Sequence, residues 1–409
     1  MVKEKILAKK RTTTVAIAGS QVKSVRFVST EKTGFRVIDG GKIGIFGATG
    51  TVDECDAWKR AEQNLANDIP YPVQPESNVV KSVDNTPALL GDKQFVDEVE
   101  RFLACLRKEC PKFIFSNCIK KVEIERTLTN DQGVDLAFKT GYYIVSPVIK
   151  EESSANVFDL GYAYAGREFN TEQMVAEVKE MYDAYYNVVD IEPGERLVIG
   201  SPSDFGFMKL YRDVMADPYC TGTSLLAGKA GQKLFNEKVS IFENREFDNY
   251  STTFFDDEGV MPAGGRNYIV KDGVFVGPIA CKRDQAKYGL ERAGSASSSY
   301  DGVPGTSMDG LTFASCGKTV KELTSTEDAI YLVMAAGGDT TPDGNFATPV
   351  QASFLVRDGK LVGRLPALNI AGNIFDTFGK NFVGRAEDGL SVCDGDDNKP
   401  MVARMTVSK

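Results

Sequence analysis

Three stretches run an apolar, alternating segment into an Asp-Gly pair and out into another: VIDGGKIGIFG (37–47), IVKDGVFVG (269–277) and FLVRDGKLVG (354–363). Alternation puts successive side chains on opposite faces of a strand. An Asp-Gly pair between two such runs supplies the positive φ of a tight hairpin turn. The turn aspartates, Asp39, Asp272 and Asp358, are unevenly spaced, so the three read as separate hairpins and not as a repeat array. Strand pairs near both ends leave room for helices between them.

Residues 53–67 have the pattern of a helix that Asp53 can cap, and 92–109 place Phe95, Val96, Val99, Phe102, Leu103 and Leu106 at helical spacing. A third helix is expected over 171–188, opened by Asn170-Thr171-Glu172-Gln173 as a capping box, with Met174, Val178, Met181, Tyr182 and Tyr185 as a core stripe. Residues 113–150 read as long paired strands, 195–201 as a strand, and 203–215 as a short helix capped by Ser203. The proline-bearing 71–87 reads as an extended linker or surface loop, and GSASSSYDGVPGTSMDG (294–310) as a mobile surface loop. After 237, strands and turns dominate. The expected fold class is α+β. Residues 1–200 form an N-terminal domain of hairpins and helices, with a central part from about 113. Residues 201–409 form a mainly antiparallel, curved or barrel-like β domain.

The net charge of −9 and pI of about 5.0 argue against a nucleic-acid partner, which needs a basic face. The short basic run Lys3, Lys5, Lys9, Lys10, Arg11 reads as a solvated tail. No apolar stretch suggests a signal peptide or a membrane span. The eight cysteines are scattered without a CxxC pair, which fits reduced, mostly buried thiols and a cytoplasmic location. The chain has no histidine. That excludes a Ser-His-Asp triad, a Cys-His dyad and every His-ligated zinc site.

Two glycine-rich stretches fail as nucleotide motifs. GIFGATGTV (44–52) has Asp53 where a dinucleotide turn needs glycine, and an anion there repels phosphate. In GTSLLAGKAGQKL (222–234), Ala230 follows Gly228-Lys229 where a P-loop needs the Mg²⁺-binding hydroxyl. No cofactor is therefore expected.

FFDDEG (254–259) sets three carboxylates in a row, Asp256, Asp257 and Glu258. In an extended segment Asp257 points away from its neighbours, so the three cannot share one ion without a tight loop. The expected role is to fix the approach to the following hairpin by Asx-turn bonds and salt bridges. Cys393, with Asp394, Asp396 and Asp397 nearby, makes a poor zinc site and reads as a surface loop.

FDDEG (255–259) followed by YIVKDGVFVG resembles the C-terminal region of the TldD/PmbA family, whose members were first named modulators of DNA gyrase. SLLAGKAGQKLFNEKVSI (224–241), the closing segment 332–384 with Gly372-Asn373, and the first hairpin GFRVIDGGKIGIFG agree in order. In the TldD branch the resemblance implies a zinc metalloprotease with an HExxxH helix and a cysteine ligand near the C-terminus. The corresponding helix here, near 205–215, has neither histidine nor glutamate, and Cys393 falls near the ligand cysteine. The chain thus resembles the PmbA/TldE side, which lacks the metal site.

By resemblance, the chain is a non-catalytic subunit of a cytosolic protease complex that processes unfolded peptides. Its expected partners are a TldD-like subunit and unfolded peptide, in a homo- or heterodimer. Asp256, Asp257, Glu258, Gly259, Gly372 and Asn373 are the motif or peptide-groove candidates, and Cys393 is a relic of a ligand position. Two alternatives stay open: a stand-alone hydrolase with a carboxylate and cysteine metal site, and a homodimeric peptide-binding module. Whether the chain is itself an enzyme is undecided by its residues.

Overall fold

The computed structural model describes residues 1–246, 251–335, 337–390 and 399–409. The first unit is a large sheet with helices against it. Its strands are β1 (Val2–Ala18), β2 (Gln21–Asp39), β3 (Lys42–Thr49), β4 (Val80–Asn85), β5 (Phe113–Asn130) and β6 (Asp135–Val145), in the order β3-β2-β1-β5-β6-β4. Neighbours are antiparallel except β4, which runs parallel to β6. Short strands β7 (Val148–Glu151), β8 (Leu160–Gly161) and β9 (Tyr164–Gly166) extend this sheet.

Helices α1 (Glu54–Gln63), α2 (Asp92–Glu109) and α3 (Thr171–Tyr185) follow the expected stripes, but α3 keeps only the Asn170 half of the expected capping box, because the Gln173 side chain donates to Glu177 at 3.0 Å instead. The Asp53 carboxylate accepts from the Cys55 and Asp56 amides at 2.9 and 3.2 Å, and the Asn170 side chain caps α3 by accepting from the Gln173 amide. Phe95, Val99, Phe102, Leu103 and Leu106 of α2 pack with Met174, Val178 and Met181 of α3 and with the sheet in one core.

The second unit holds a closed barrel. Strands β10 (Gly194–Gly200), β17 (Ala329–Ala335), β19 (Asn345–Arg357), β21 (Leu368–Asn373) and β23 (Met401–Ser408) pair in that order, and β23 pairs back onto β10. Closure leaves no open edge among these five staves where each is paired on both sides. The fold is therefore α+β with a barrel-like β second half. β10 is a barrel stave, although its sequence lies just before residue 201. Between β10 and β17 the chain forms α4 (Phe207–Asp213), α5 (Ala216–Cys220), a four-stranded sheet, and α6 (Lys282–Tyr288). That sheet contains β11 (Ile241–Asn244), β12 (Arg266–Lys271), β13 (Val274–Phe275) and β16 (Leu311–Phe313). The short pair β14 (Ala296–Ser297) and β15 (Gly305–Thr306) lies between β13 and β16 in the chain.

All three Asp-Gly turns are present. Gly40 and Gly41, Asp272 and Gly273, and Asp358 and Gly359 all have positive φ. This is the mirror-image turn geometry that matches strand twist.

Several expectations are corrected. The basic N-terminal run is not a tail but the central strand β1, paired with β2 and β5. Val2 and Ile6 point into the core, while Lys3 and Lys5 reach α1 to pair with Glu62 at 2.6 Å and Glu54 at 2.5 Å. Residues 71–87 are more than a linker, because they contain β4 and the buried Tyr71. Ser203 does not cap a helix over 203–215. Ser201 begins a single 3₁₀ turn (Pro202–Phe205), and α4 starts after Gly206. Of the seven described cysteines, all free, only Cys110 and Cys281 are buried.

Two of the three glycines of GIFGATGTV serve packing, and the third, Gly50, takes a positive φ of 76°. A Cβ on Gly44 would lie 2.1 Å from the Ala61 carbonyl oxygen of α1, and one on Gly47 would lie 2.4 Å from Asp301 Cβ. The segment 294–310 is likewise no mobile loop. Ser295 is fully buried, and the Tyr300 carbonyl oxygen sits 2.1 Å from where a Gly34 Cβ would be. Gly34→Ala is therefore expected to cost about 2 kcal/mol or more by forcing this segment off β2. Urea unfolding monitored by circular dichroism measures it.

Candidate functional site

The chain leaves β11, passes Phe254 and Phe255, and enters FDDEG. The two phenylalanines pack with Ile6, Leu128, Leu136 and Phe138 of the first unit. They anchor the acidic segment on the underside of the large sheet. Residues 256–259 then form a turn: the Gly259 amide donates to the Asp256 carbonyl at 3.0 Å, and Gly259 has a φ of 77°.

All three acids are buried, at 2% exposure for Asp256 and 4% for Asp257 and Glu258. They diverge to three sets of partners. Asp256 accepts from the amides of Glu258 and Val260 at 2.9 Å and from that of Ala296 at 3.0 Å. Asp257 accepts from the Ser298 amide at 2.7 Å and hydroxyl at 3.0 Å, and pairs with Arg126 of β5. Glu258 accepts from the Tyr71 hydroxyl at 2.5 Å and the Lys282 amide at 2.6 Å. The expected Asx-turn bonds and salt bridge are present, but inside the molecule and on a turn, not at the mouth of an extended hairpin.

Arg36 completes the cluster from β2. It is fully buried and donates to Glu4 at 2.9 Å, to the Asp257 carbonyl at 2.6 Å and to the Ser298 hydroxyl at 2.6 Å. Lys282 reaches back to Glu76 at 2.6 Å and to the Gln74 carbonyl at 2.9 Å. Nearby, Arg245 donates to the carbonyls of Thr253 and Phe255 at 3.1 and 3.0 Å, which holds the segment leading into the motif. FDDEG is thus a clamp: its contacts reach β1, β2, β5 and the 71–76 segment of the first unit.

Burial pushes the Asp256 carboxyl up to about 6, against the pull of Arg245 and three amide donors. Burial, together with the nearby Asp256 charge, pushes Glu258 up to about 7. Burial also raises Glu4, although Arg36 opposes it.

The metal that the family implies does not fit these side chains. N–H or O–H donors point at the Asp256 and Glu258 oxygens, where a cation would need free lone pairs. Among the described residues no three Cys, Asp or Glu side chains group as metal ligands. In α4, at the place of the expected ligand helix, Asp213 is paired with Lys209 and accepts from the Leu225 amide at 2.8 Å. Cys393 lies outside the described residues.

Gly372 and Asn373 end β21. A Cβ on Gly372 would lie 2.8 Å from Met405 Cε and 2.9 Å from Thr377 Oγ1. The Asn373 side chain accepts from the Phe375 amide at 3.0 Å, capping the turn that follows. None of the motif residues lines the two clefts described below.

Arg36, Tyr71, Arg126 and Ser298 were not singled out from the sequence. One signal was available: Arg36 interrupts the apolar run of GFRVI, where alternation aims its side chain at the same buried layer as Ile38.

The description PmbA/TldA metallopeptidase domain 1 matches residues 6–67, and PmbA/TldA metallopeptidase C-terminal domain matches residues 204–407. Together they span well over half of the chain. The chain belongs to the PmbA/TldD family. A protein from Archaeoglobus fulgidus described as a metalloprotease is 24% identical over 425 residues, covering 96% of this chain and 95% of that protein. A second metalloprotease by description, from Methanothermobacter thermautotrophicus, is 28% identical over 183 residues, covering 44% of this chain and 40% of that protein. TldE from Thermococcus kodakarensis superposes with a TM-score of 0.85 at 18% identity, over 100% of this chain and 97% of that one. A protein from Thermotoga maritima described as a modulator of a DNA gyrase superposes with a TM-score of 0.81 at 18% identity, over 100% and 96%. These two likenesses establish the fold. The metallopeptidase names of the family and its relatives support a peptidase-related role. No helix among the described residues is long and apolar enough to cross a membrane.

Proposed function

We propose that this PmbA/TldD-family chain is a subunit without catalytic residues of its own, that it pairs with a metal-binding TldD-like protein, and that together they enclose a groove for unfolded peptide in the cytoplasm. The observation that carries this reading is a metallopeptidase-family chain with no histidine. Its α4, in the position of the expected ligand helix, has its one carboxylate engaged with Lys209.

A cleft of about 470 Å³ between the two units supports the peptide half of the reading. One wall is 160–163, with Ser146 and Pro147; the other is 332–335 of β17 with Ser201 and Asp204. β17 pairs with β10 over residues 329–331, so the edge of 332–335 facing away from β19 is unpaired among the described residues. A free strand edge lined by partly apolar side chains can take an extended peptide by backbone pairing, which tolerates many sequences. FDDEG, on this reading, is the clamp that fixes the angle between the two walls and does not touch the peptide.

The chain is expected to co-elute with a TldD-like protein from the same genome as a stable complex in size-exclusion chromatography. Two separate peaks at micromolar concentration, with the chain running as a homodimer, would favour a self-contained binding module instead.

A further inference from the structure

A second cleft, of about 640 Å³, opens where the 70–72 segment of the first unit meets α5 and α6. Pro70, Pro72, Met215 and Pro218 give it an apolar lining. Its two sides are tied by a single carboxylate. Tyr71, between the two prolines, and Lys282, immediately before Arg283, are the groups that donate to Glu258. The Lys282 ammonium repeats the tie through Glu76 and the Gln74 carbonyl. The cleft is therefore held in shape before any ligand arrives.

Four charged side chains line it, and three are engaged. Asp217 takes the Lys287 ammonium at 3.2 Å and the Tyr288 hydroxyl. Asp284 accepts from the Thr306 hydroxyl at 2.6 Å. Arg283, half-buried in the wall, has no hydrogen bond or ion pair among the described residues. Its guanidinium lies over Gly305, 3.8 Å from where a Cβ would sit. An unpartnered guanidinium beside an apolar surface is suited to a planar carboxylate, which it can hold by two parallel N–H bonds. A phosphate suits the site less, because Asp217 and Asp284 would repel a dianion and the apolar lining would face nothing.

We propose that this cleft binds the C-terminal carboxylate of a peptide with an apolar last residue. Arg283 is the anion anchor, and Met215 and the three prolines pack the terminal side chain. The proposal rests on the peptide-handling reading above and deepens it, because it makes a free C-terminus a recognised feature of the peptide.

The test is isothermal titration of the full chain with Ala-Ala-Ala-Ala-Leu as the free acid and as its C-terminal amide. The acid is expected to bind about tenfold more tightly, the worth of one charge-assisted contact. Arg283→Gln should bring the acid down to the level of the amide, and Arg283→Lys should keep part of the preference. Because Arg283 holds no partner among the described residues, both variants should melt as the parent does. Equal binding of acid and amide, binding of neither, or a preference that survives Arg283→Gln would overturn the proposal. These failures leave partner-dependent peptidase activity untouched. Loss of that activity with the acid preference intact would instead remove the protease reading and leave the cleft its ligand.

Discussion

Arg36→Met is expected to destabilise the chain by about 3–5 kcal/mol, the cost of stranding a buried charge by deleting its partner. The substitution keeps much of the side-chain length, so the loss is electrostatic more than steric. Glu4, 3% exposed, would keep no cation in contact, and the Asp257 carbonyl and Ser298 hydroxyl would each lose a charged donor. Replacing both members, as Glu4→Leu with Arg36→Met, should recover part of the loss, because an apolar pair needs no compensation. Recovery stays incomplete, since Arg36 also bonds to two groups other than Glu4. Urea unfolding of the single and double variants gives both numbers. A loss below about 1 kcal/mol for Arg36→Met, the size of an ordinary surface change, would mean that the clamp does not hold the units together.

Stability should fall as pH rises from about 4 to about 7. Asp256 and Glu258 titrate near 6 and 7 in the fold, whereas both ionise near 4 in an unfolded chain. Within that window the folded state keeps protons that the unfolded state has released, so each unit of pH weakens the fold. The contribution is complete below the window and gone above it. Each group taken singly is worth about 3 kcal/mol, and their mutual repulsion is shared, so the joint effect is smaller than the sum. Carboxylates held low act in the opposite sense: Asp92 by its bond to Lys121, and Asp328 by its bond to Arg357. Their stabilisation is lost only as pH falls below about 4, so it leaves the upper window to the buried pair.

The chain should therefore resist urea better at about pH 5 than at about pH 8. Glu258→Gln should flatten that slope and raise stability at the alkaline end. The amide oxygen can accept from the Lys282 amide, and the Tyr71 hydroxyl can turn to accept from the new NH₂. Stability that instead climbs steadily between those two pH values would contradict the burial of these acids.

The three Asp-Gly hairpins and the helices at 54–63, 92–109 and 171–185 were legible because their determinants lie within a few residues of one another. Alternation, caps and positive-φ turn pairs are local signals. The barrel could be anticipated as a kind but not as a topology. Its closure joins Gly194–Gly200 to Met401–Ser408, and no local rule pairs segments so far apart. The first strand was hidden by its charges. Lys3 and Lys5 read as solvated until α1 places Glu62 and Glu54 over them.

The acidic motif shows the same limit more sharply. FDDEG could be recognised as a family mark and as a turn. What it does physically depends on Arg36, Tyr71, Arg126 and Ser298, which come from four distant segments. Only the interruption of an apolar run by Arg36 carried any local sign of this. The small-residue segment 294–310 is deceptive for a related reason. Its serines and glycines are the composition of a loop, yet its Tyr300 backbone lies against Gly34 of β2, and its Ala296 and Ser298 amides donate to Asp256 and Asp257.

The most direct measurement is hydrolysis of an unfolded peptide by the purified chain, by a TldD-like protein of the same genome, and by their mixture. Activity that needs the TldD-like protein and increases in the mixture, with none from this chain alone, is the expected result. Hydrolysis by this chain alone, surviving removal of every contaminating protease, would contradict the reading of it as a subunit without catalytic residues.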